Sequence, residues 1–240
     1  MKNLVLLILL FLFMGNLNAA NYYVDTSKAN DNGLGTDTST AWKTVDGVNK
    51  HNFAPGDIIS FKCGQRFIGI TLRPPNSGSS IAPIIFNSYG TGAKPIIDRQ
   101  GTSESDYCVD LITISRNNIT FYNLHLKGGY KSNATLWACN YITFENCDID
   151  STIFVYTGTA GKGMIYSGMG SHLTIRNCNL THSVSGHGIY VDGTDHSLIE
   201  YCNFTYNYQE GINLAFGDSA AQNWTNDLIV RYNYIGKNGL

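Results

Sequence analysis

The sequence predicts an all-β protein, a right-handed parallel β-helix (solenoid) with an N-terminal cap containing one short helix. The first observation is a ten-residue block that occurs five times without a gap, beginning at Asn117, Asn140, Ser171, Asp195 and Asn226. The second is the period, because the eighth position of the block recurs after 23, 31, 24 and 31 residues, as in solenoid proteins. The right hand follows from the chirality of parallel crossovers.

The third observation is that apolar and polar residues alternate within each block, as in Ile142-Thr143-Phe144. A period of two is typical of strands and excludes the helical repeat families of similar length. Identical coils stacked about 4.8 Å apart bury one continuous core. The predicted inward columns are Phe121, Phe144, Ile175, Ile199 and Val230, and Leu126, Ile149, Leu180, Phe204 and Ile235.

Three of the six cysteines share the eighth position of the block, at Cys147, Cys178 and Cys202. Stacked side chains would keep their Cβ atoms about 4.8 Å apart, which is longer than the roughly 3.8 Å of a disulfide. We therefore expect buried free thiols at a corner of the coil. The sequence leaves the state of Cys63, Cys108 and Cys139 open.

Residues 1–20 carry one lysine, eleven apolar residues from Leu4 to Met14 and a small-residue end at Ala19-Ala20. The apolar run is too short to span a bilayer, so it predicts a signal peptide and a secreted, extracellular, periplasmic or cell-surface protein. We expect no transmembrane segment in the mature chain. Charged residues make up 14% of the chain and the net charge is −2, which gives no basic field for nucleic acid.

The mature chain divides into a cap with the first coils at residues 21–80 and the β-helix at residues 81–240. A helix is predicted over Ala41–Asn49, where Trp42, Val45 and Val48 are three residues apart. Such a cap covers the open end of a solenoid. Lys237–Leu240 aligns with Gln209–Ile212, so the sequence ends as another strand begins. We therefore expect these residues to be the front part of a longer protein, and we expect the protein to be a monomer.

Several segments carry a resemblance to a known family: YYVD, AWKT, PGDII, PIIFNSYGTGAKPII, GIYVDG and ITFENC. Together they resemble the secreted right-handed parallel β-helix proteins of bacteria, the pectate-lyase-like superfamily. The resemblance covers essentially the whole mature chain and implies the fold. It leaves the activity open, because that superfamily includes polysaccharide lyases, glycoside hydrolases and uronate epimerases.

The resemblance also implies a substrate groove on a second series of strands, KGMIYSGM, HGIYVDGT and EGINLAFG. These begin with Lys162, His187 and Glu210, which we predict as catalytic residues because they could hold a proton-transfer group and its orienter. The alternative is that positions beside a strand-starting glycine are polar only because they are exposed. The predicted outward pairs are Thr135 and Trp137, Ile165 and Ser167, Tyr190 and Asp192, and Asn213 and Ala215.

Substrate contacts are predicted for Trp137, Tyr190 and Asn213, since aromatic rings stack on sugars. A Ca²⁺ site is predicted at Asp192, Asp195 and Asp218, which follow the groove strands and offer hard oxygen ligands. The alternative for Asp195 and Asp218 is a turn with the neighbouring glycines.

The sequence favours a lyase that acts by β-elimination on acidic, uronate-containing glycans. A two-carboxylate hydrolase is disfavoured, because Asp192 and Glu210 should lie roughly 16 Å apart at about 3.3 Å per residue, beyond the 5–9.5 Å of glycosidase carboxyl pairs. The alternatives are a non-catalytic carbohydrate-binding or adhesive surface protein and a structural module of a larger chain.

Overall fold

The computed structural model describes residues 19–112, 115–154, 162–215 and 225–239. Within these ranges the chain winds into a right-handed parallel β-helix whose coils contribute to three parallel sheets. Neighbouring strands in each sheet come from successive coils, so that residues one repeat apart in sequence lie side by side. The predicted fold class is confirmed.

Sheet A contains β1 (Asn21–Val24), β2 (Ile58–Lys62), β4 (Ile84–Tyr89), β7 (Ile119–Tyr122), β10 (Ile142–Glu145), β13 (Thr174–Arg176), β16 (Leu198–Glu200) and β19 (Ile229–Arg231). Sheet B contains β3 (Arg66–Ile68), β5 (Ile96–Asp98), β8 (His125–Lys127), β11 (Asp148–Asp150), β14 (Asn179–Thr181), β17 (Asn203–Thr205) and β20 (Tyr234–Gly236). Sheet C contains β6 (Val109–Asp110), β9 (Ala134–Trp137), β12 (Ile165–Gly168), β15 (Ile189–Asp192) and β18 (Ile212–Ala215).

The interior is built from the two predicted inward columns. Members of the first column pair with one another on adjacent strands of sheet A, and members of the second pair on adjacent strands of sheet B. Aromatic residues stack within the first column, where the ring centroids of Phe86 and Phe121 are 5.4 Å apart and those of Phe121 and Phe144 are 4.9 Å apart. Burial of these large apolar side chains is the main favourable term for the fold. In the last coil Val230 and Ile235 are exposed.

The cysteine column forms as predicted, and all six cysteines are free. Each stacked thiol lies near a carbonyl oxygen of the preceding coil, at 3.4 Å for Cys147 and Phe121 and at 3.5 Å for Cys178 and Phe144. In the last coil the amide of Asn233 donates to the equivalent carbonyl, that of Ile199, at 2.8 Å. A small polar side chain at this corner therefore contacts a buried backbone carbonyl in the four coils that carry Cys147, Cys178, Cys202 and Asn233, whereas the preceding coil has the apolar Leu124 there.

Corners of the coil are made by single residues in the left-handed region. The seventh position of each block has φ between 52° and 56°, at Asn123, Asn146, Asn177, Tyr201 and Tyr232. The second position behaves in the same way, at Asn118, Tyr141, His172, His196 and Asp227. Asparagine tolerates this conformation better than most residues, which explains its frequency in the repeats.

The cap contains a helix, α1 (Val45–Asn49), which is shorter than the predicted Ala41–Asn49. It begins later because the carboxylate of Asp31 accepts the backbone N–H groups of Lys43 and Thr44, which keeps this stretch outside the helix. Thr44 is the N-cap. As predicted, Trp42, Val45 and Val48 are buried against the first coils.

The predicted signal peptide falls mostly on residues 1–18, which lie outside the described residues. In the described ranges, no helix combines the length and the apolar character needed to cross a membrane.

Candidate functional site

The outer face of sheet C presents two columns of side chains. One consists of Thr135, Tyr166, Tyr190 and Asn213. The other consists of Trp137, Gly168, Asp192 and Ala215. Three of the four predicted outward pairs therefore have the predicted register.

The outward prediction for Ile165 and Ser167 is wrong. Ile165 pairs with Ile189 and points into the core, and the buried hydroxyl of Ser167 lies 3.0 Å from that of Thr194. The glycines of the second series are not equivalent in this coil, because Met164 rather than Gly163 occupies the position of Gly188. Lys162 consequently does not occupy the position of His187, whereas His187 and Glu210 do lie on equivalent positions two residues before their paired strands.

The correction places Tyr166, which sequence reasoning missed, at the centre of the face. Its ring centroid lies 6.0 Å from that of Trp137 and 5.7 Å from that of Tyr190. Trp137 lies across Gly168, where a Cβ atom would come within 2.4 Å of an indole carbon. Glycine is therefore required for the indole to reach this row of rings. A period-two reading anchored on Ile165 rather than on glycine would have found Tyr166.

A lysine covers the central tyrosine. The Nζ atom of Lys162 lies 3.8 Å from the centroid of the Tyr166 ring, a cation–π contact. Burial, together with the nearby charge of Lys131, lowers the pKa of Lys162, while Asp192 opposes this shift. Burial and the charge of Asp192 raise the pKa of Tyr166 to about 12, so its phenol stays protonated at neutral pH.

At the C-terminal side of the row, an imidazole meets a carboxylate. Nδ1 of His187 lies 2.6 Å from Oε2 of Glu210, close enough for a strong electrostatic contact, although Nδ1 makes no hydrogen bond of good angle. The side chain of His187 is only 6% exposed, whereas that of Glu210 is 63% exposed. Burial lowers the pKa of His187 and outweighs the opposite effect of Glu210. The imidazole is therefore neutral at pH 7 and can accept a proton.

The neighbouring amide helps to fix the carboxylate. A hydrogen bond from its own backbone N–H, then the charge of His187 and a contact with Asn213, lower the pKa of Glu210. Asn213 was predicted to bind substrate, and here it also lies beside the carboxylate that faces the imidazole.

These side chains form one continuous group, since the rings of His187 and Tyr190 are 5.5 Å apart. We call it the sheet C cluster, and it consists of Trp137, Lys162, Tyr166, His187, Tyr190 and Glu210. All of the predicted catalytic residues and two of the three predicted substrate-binding residues belong to it. Their roles stay predictions.

The three predicted metal ligands are not equivalent. Asp192 is partly exposed on the face of sheet C, beside Trp137 and Gly168 in the same column. Asp195 forms an isolated parallel bridge with Ser171, and its carboxylate accepts the backbone N–H of Asn226 at 2.8 Å. Asp218 lies outside the described residues. Within the described part of the chain no three His, Cys, Asp or Glu side chains converge on a metal site, so Ca²⁺ stays a prediction on which no step depends.

Neither a protein-family model nor a curated protein matches this sequence. Solved structures do match. The GH136 lacto-N-biosidase from Eubacterium ramulus aligns with a TM-score of 0.61 and 14% identity over 91% of this chain and 56% of its own. Pectate lyase Pel9A gives a TM-score of 0.61 and 15% identity over 93% and 56%. An alginate lyase from Paenibacillus sp. str. FPU-7 gives 0.55 and 19% over 79% and 73%.

A rhamnogalacturonan lyase also aligns, with a TM-score of 0.53 and 13% identity over 90% of this chain and 62% of its own. The chain thus spans a little over half the length of the lacto-N-biosidase and of pectate lyase Pel9A. At these identities the likeness concerns the fold. It agrees with the three parallel sheets and with the resemblance read from the sequence, and the chain accordingly has the right-handed parallel β-helix fold of the pectate-lyase-like proteins.

Proposed function

We propose that this protein is a secreted polysaccharide lyase that acts on acidic glycans, with its reaction centre at the sheet C cluster. The observation that carries the proposal is the combination of a lysine ammonium and a neutral, buried imidazole on one row of aromatic rings. A uronate polymer needs each of these features: a cation for the carboxylate, a base for the adjacent proton and a platform for the sugar rings.

The chemistry follows from the charges. Lys162, as an ammonium, would neutralise the substrate carboxylate and so acidify the C–H bond next to it. His187, which burial keeps neutral, would accept that proton. The electrons of the C–H bond would form a carbon–carbon double bond as the glycosidic C–O bond breaks, and water would protonate the leaving oxygen. Glu210 would stabilise the imidazolium that forms, at 2.6 Å from Nδ1.

The alternative assignment, Lys162 as the base, is also compatible with the direction of its pKa shift. In that case the imidazole would hold the substrate carboxylate after protonation. Burial disfavours a protonated His187, and for that reason we assign the base to the imidazole and the cation to the lysine.

The solved neighbours give independent support, because three of the four are named as lyases of pectate, rhamnogalacturonan or alginate. The fourth is named as a lacto-N-biosidase, which makes hydrolysis the competing reaction. A pair of carboxylates is the usual requirement of hydrolysis. Asp192 and Glu210 are separated by one coil and by most of the length of a strand, which argues against that pair.

A second candidate is a non-catalytic glycan-binding protein. The partly exposed rings of Trp137 and Tyr190, which pack on either side of the buried Tyr166, favour it, since they would bind sugar rings without any proton transfer. The lyase and the non-catalytic binding protein would use the same surface of sheet C and would differ only in whether the glycan is cleaved.

The deciding experiment is to incubate the purified protein with pectate, alginate and a neutral polysaccharide and to follow the absorbance of the unsaturated product. A lyase gives product from an acidic polymer, and His187→Ala abolishes it. Product from none of the acidic polymers refutes the lyase, and glycan binding without product then supports the second candidate. A parallel assay with chelator tests the predicted Ca²⁺ requirement, and N-terminal sequencing of exported protein tests removal of residues 1–20.

A further inference from the structure

Two arginines lie at the N-terminal end of the sheet C face, in the coils that precede the sheet C cluster. We propose that Arg73 and Arg116 bind one carboxylate of the acidic glycan, on a different uronate from the one that Lys162 would hold. The inference rests on the proposed function, because it adds a subsite to the same surface. Its test measures binding and does not depend on cleavage.

Arg73 belongs to the same column of side chains as Tyr166. A parallel bridge at the preceding residue places Arg73 beside Asp110, which pairs with Thr135, and Thr135 pairs with Tyr166. Three steps of about 4.8 Å put the backbone of Arg73 roughly 14 Å from that of Tyr166. The ring of Tyr166 carries the ammonium of Lys162. A single sugar unit is too short to reach both cations, whereas an oligosaccharide along the axis of the coils can do so.

The guanidinium of Arg73 is held in place with part of its hydrogen-bonding capacity unused. Its Nε donates to Oδ2 of the buried Asp110 at 3.1 Å, and Oδ1 of that carboxylate accepts the backbone N–H of Ile112 at 3.0 Å. The side chain of Arg73 is 45% exposed. In contrast to Arg66 and Arg231, which direct both Nε and Nη2 to one carboxylate, neither Nη group of Arg73 has a hydrogen-bond partner among the described residues. These two nitrogens stay available to a ligand.

Arg116 brings a second guanidinium to the same chain segment. Its Nε donates to the carbonyl of Pro74, the residue that follows Arg73, at 3.1 Å. Every other arginine of the sequence forms an ion pair with a carboxylate. Arg116 has no aspartate or glutamate within ion-pair distance in the part of the chain that the structure describes, so its charge is not neutralised there.

The balance of charge at this end of the face favours an anion. The ion pairs in the segments that lead into β6 and β9 each combine one cation with one carboxylate, and so does the pair of Arg73 with Asp110. Among these described groups, the positive charge of Arg116 is therefore left over. A guanidinium binds a carboxylate through two parallel hydrogen bonds. A uronate matches both the charge and this geometry, whereas a neutral sugar offers neither.

The test is isothermal titration calorimetry with galacturonate and mannuronate oligomers, each as a disaccharide and a hexasaccharide. The protein carries His187→Ala, or is wild type if wild type gives no product. Arg116→Gln removes no partner of a buried carboxylate, and we expect it to weaken binding of the hexasaccharide that wild type prefers by at least about 10-fold. Arg73→Lys keeps a cation for the buried Asp110 and should weaken the same hexasaccharide by a smaller factor, because a lysine cannot form the bidentate contact.

Three measurements serve as controls. The affinity for the disaccharide, which is too short to reach from Lys162 to the arginines, should stay the same in both variants. A neutral hexasaccharide of galactose should bind wild type and Arg116→Gln equally. Arg176→Gln, which removes a partly exposed arginine from sheet A, should leave the affinity for the acidic hexasaccharide unchanged.

An unchanged hexasaccharide affinity in Arg116→Gln, an equal loss for the disaccharide and the hexasaccharide, or no binding of either acidic hexasaccharide to wild type would overturn the proposal. A protein that cleaves no acidic polymer but shows the loss only with the longer oligomer refutes the lyase reaction and leaves the subsite standing. A protein that cleaves an acidic polymer and binds its hexasaccharide equally well without the charge of Arg116 refutes the subsite alone.

Discussion

Removal of the lysine ammonium from the sheet C cluster is the sharpest test of how the site would work. In Lys162→Met the side chain loses the ammonium but keeps an unbranched apolar stem of four heavy atoms, so most of its packing over Tyr166 is retained and the charge is lost. The rate on a uronate polymer should fall, because the substrate carboxylate would lose its partner while the proton next to it is removed.

The magnitude follows from the position of the ammonium. It lies 3.8 Å from the centroid of the Tyr166 ring on an exposed side chain, so water screens part of its interaction with an anion. Hydrogen bonds to charged groups contribute about 1.5–3 kcal/mol. At about 1.4 kcal/mol for each factor of ten, kcat/KM should decrease about 10- to 150-fold.

The assay is the initial rate of unsaturated product formation at several substrate concentrations. Lys94→Met is the control, since Lys94 is another lysine with a partner, 3.0 Å from Asp148 on sheet B, remote from the cluster. It should leave the rate unchanged, and Lys162→Arg should restore part of the activity. A Lys162→Met variant with a rate within about two-fold of wild type would refute the role of the charge, because the expected decrease is at least about 10-fold.

Three other predictions follow from the structure. Activity should rise as pH increases through the lowered pKa of His187 and fall again at alkaline pH, where Lys162 loses its proton. Glu210→Gln removes a charge that raises the pKa of His187, so the acidic limb of the pH–rate profile should move to lower pH. An acidic limb that does not move would contradict the pairing of Glu210 with His187. In urea unfolding, Phe121→Leu should lower the free energy of unfolding by about 1–3 kcal/mol through lost aromatic contacts, because Phe121 stacks on two rings. Phe144→Leu should lower it by about half as much, because Phe144 stacks on one ring. Equal losses in the two variants would contradict the contribution of ring stacking. Gly168→Ala should displace the neighbouring indole, with a changed tryptophan emission spectrum and weaker glycan binding, and an unaltered spectrum would show that the ring does not rest there.

The interior could be predicted from sequence because each inward position is repeated. Phe121, Phe144 and Ile175 are related by whole repeats, and no insertion falls inside the ten-residue block. Parallel stacking places equivalent positions of successive repeats side by side. An ungapped alignment of the repeats therefore predicts which residues pair between neighbouring strands. The same reasoning gave the free cysteines, because the spacing between coils is set by backbone pairing and does not match a disulfide.

The register of sheet C was harder to predict, because glycine was used to align it. Gly188 and Gly211 are equivalent, but in the preceding coil their position is held by Met164, with Gly163 one residue earlier. A small hydroxyl residue, Ser167, occupies an inward position there, and its hydroxyl is satisfied by that of Thr194 in the following coil. Hydrophobicity does not reveal such a partner, and so the pattern predicts Ile165 and Ser167, rather than Tyr166, on the outer face.

Among the five repeated blocks, the large differences in coil length fall at two loops. From β7–β8 to β19–β20 the segment between sheets A and B keeps one length, so the extra residues of the two 31-residue repeats fall between β11 and β12 and between β18 and β19, on either side of sheet C. Additions there leave the stacked corners and the core pairing unchanged. In evolution or in the laboratory, loop exchange can therefore change the margins of the sheet C face while the coils that carry this face stay the same.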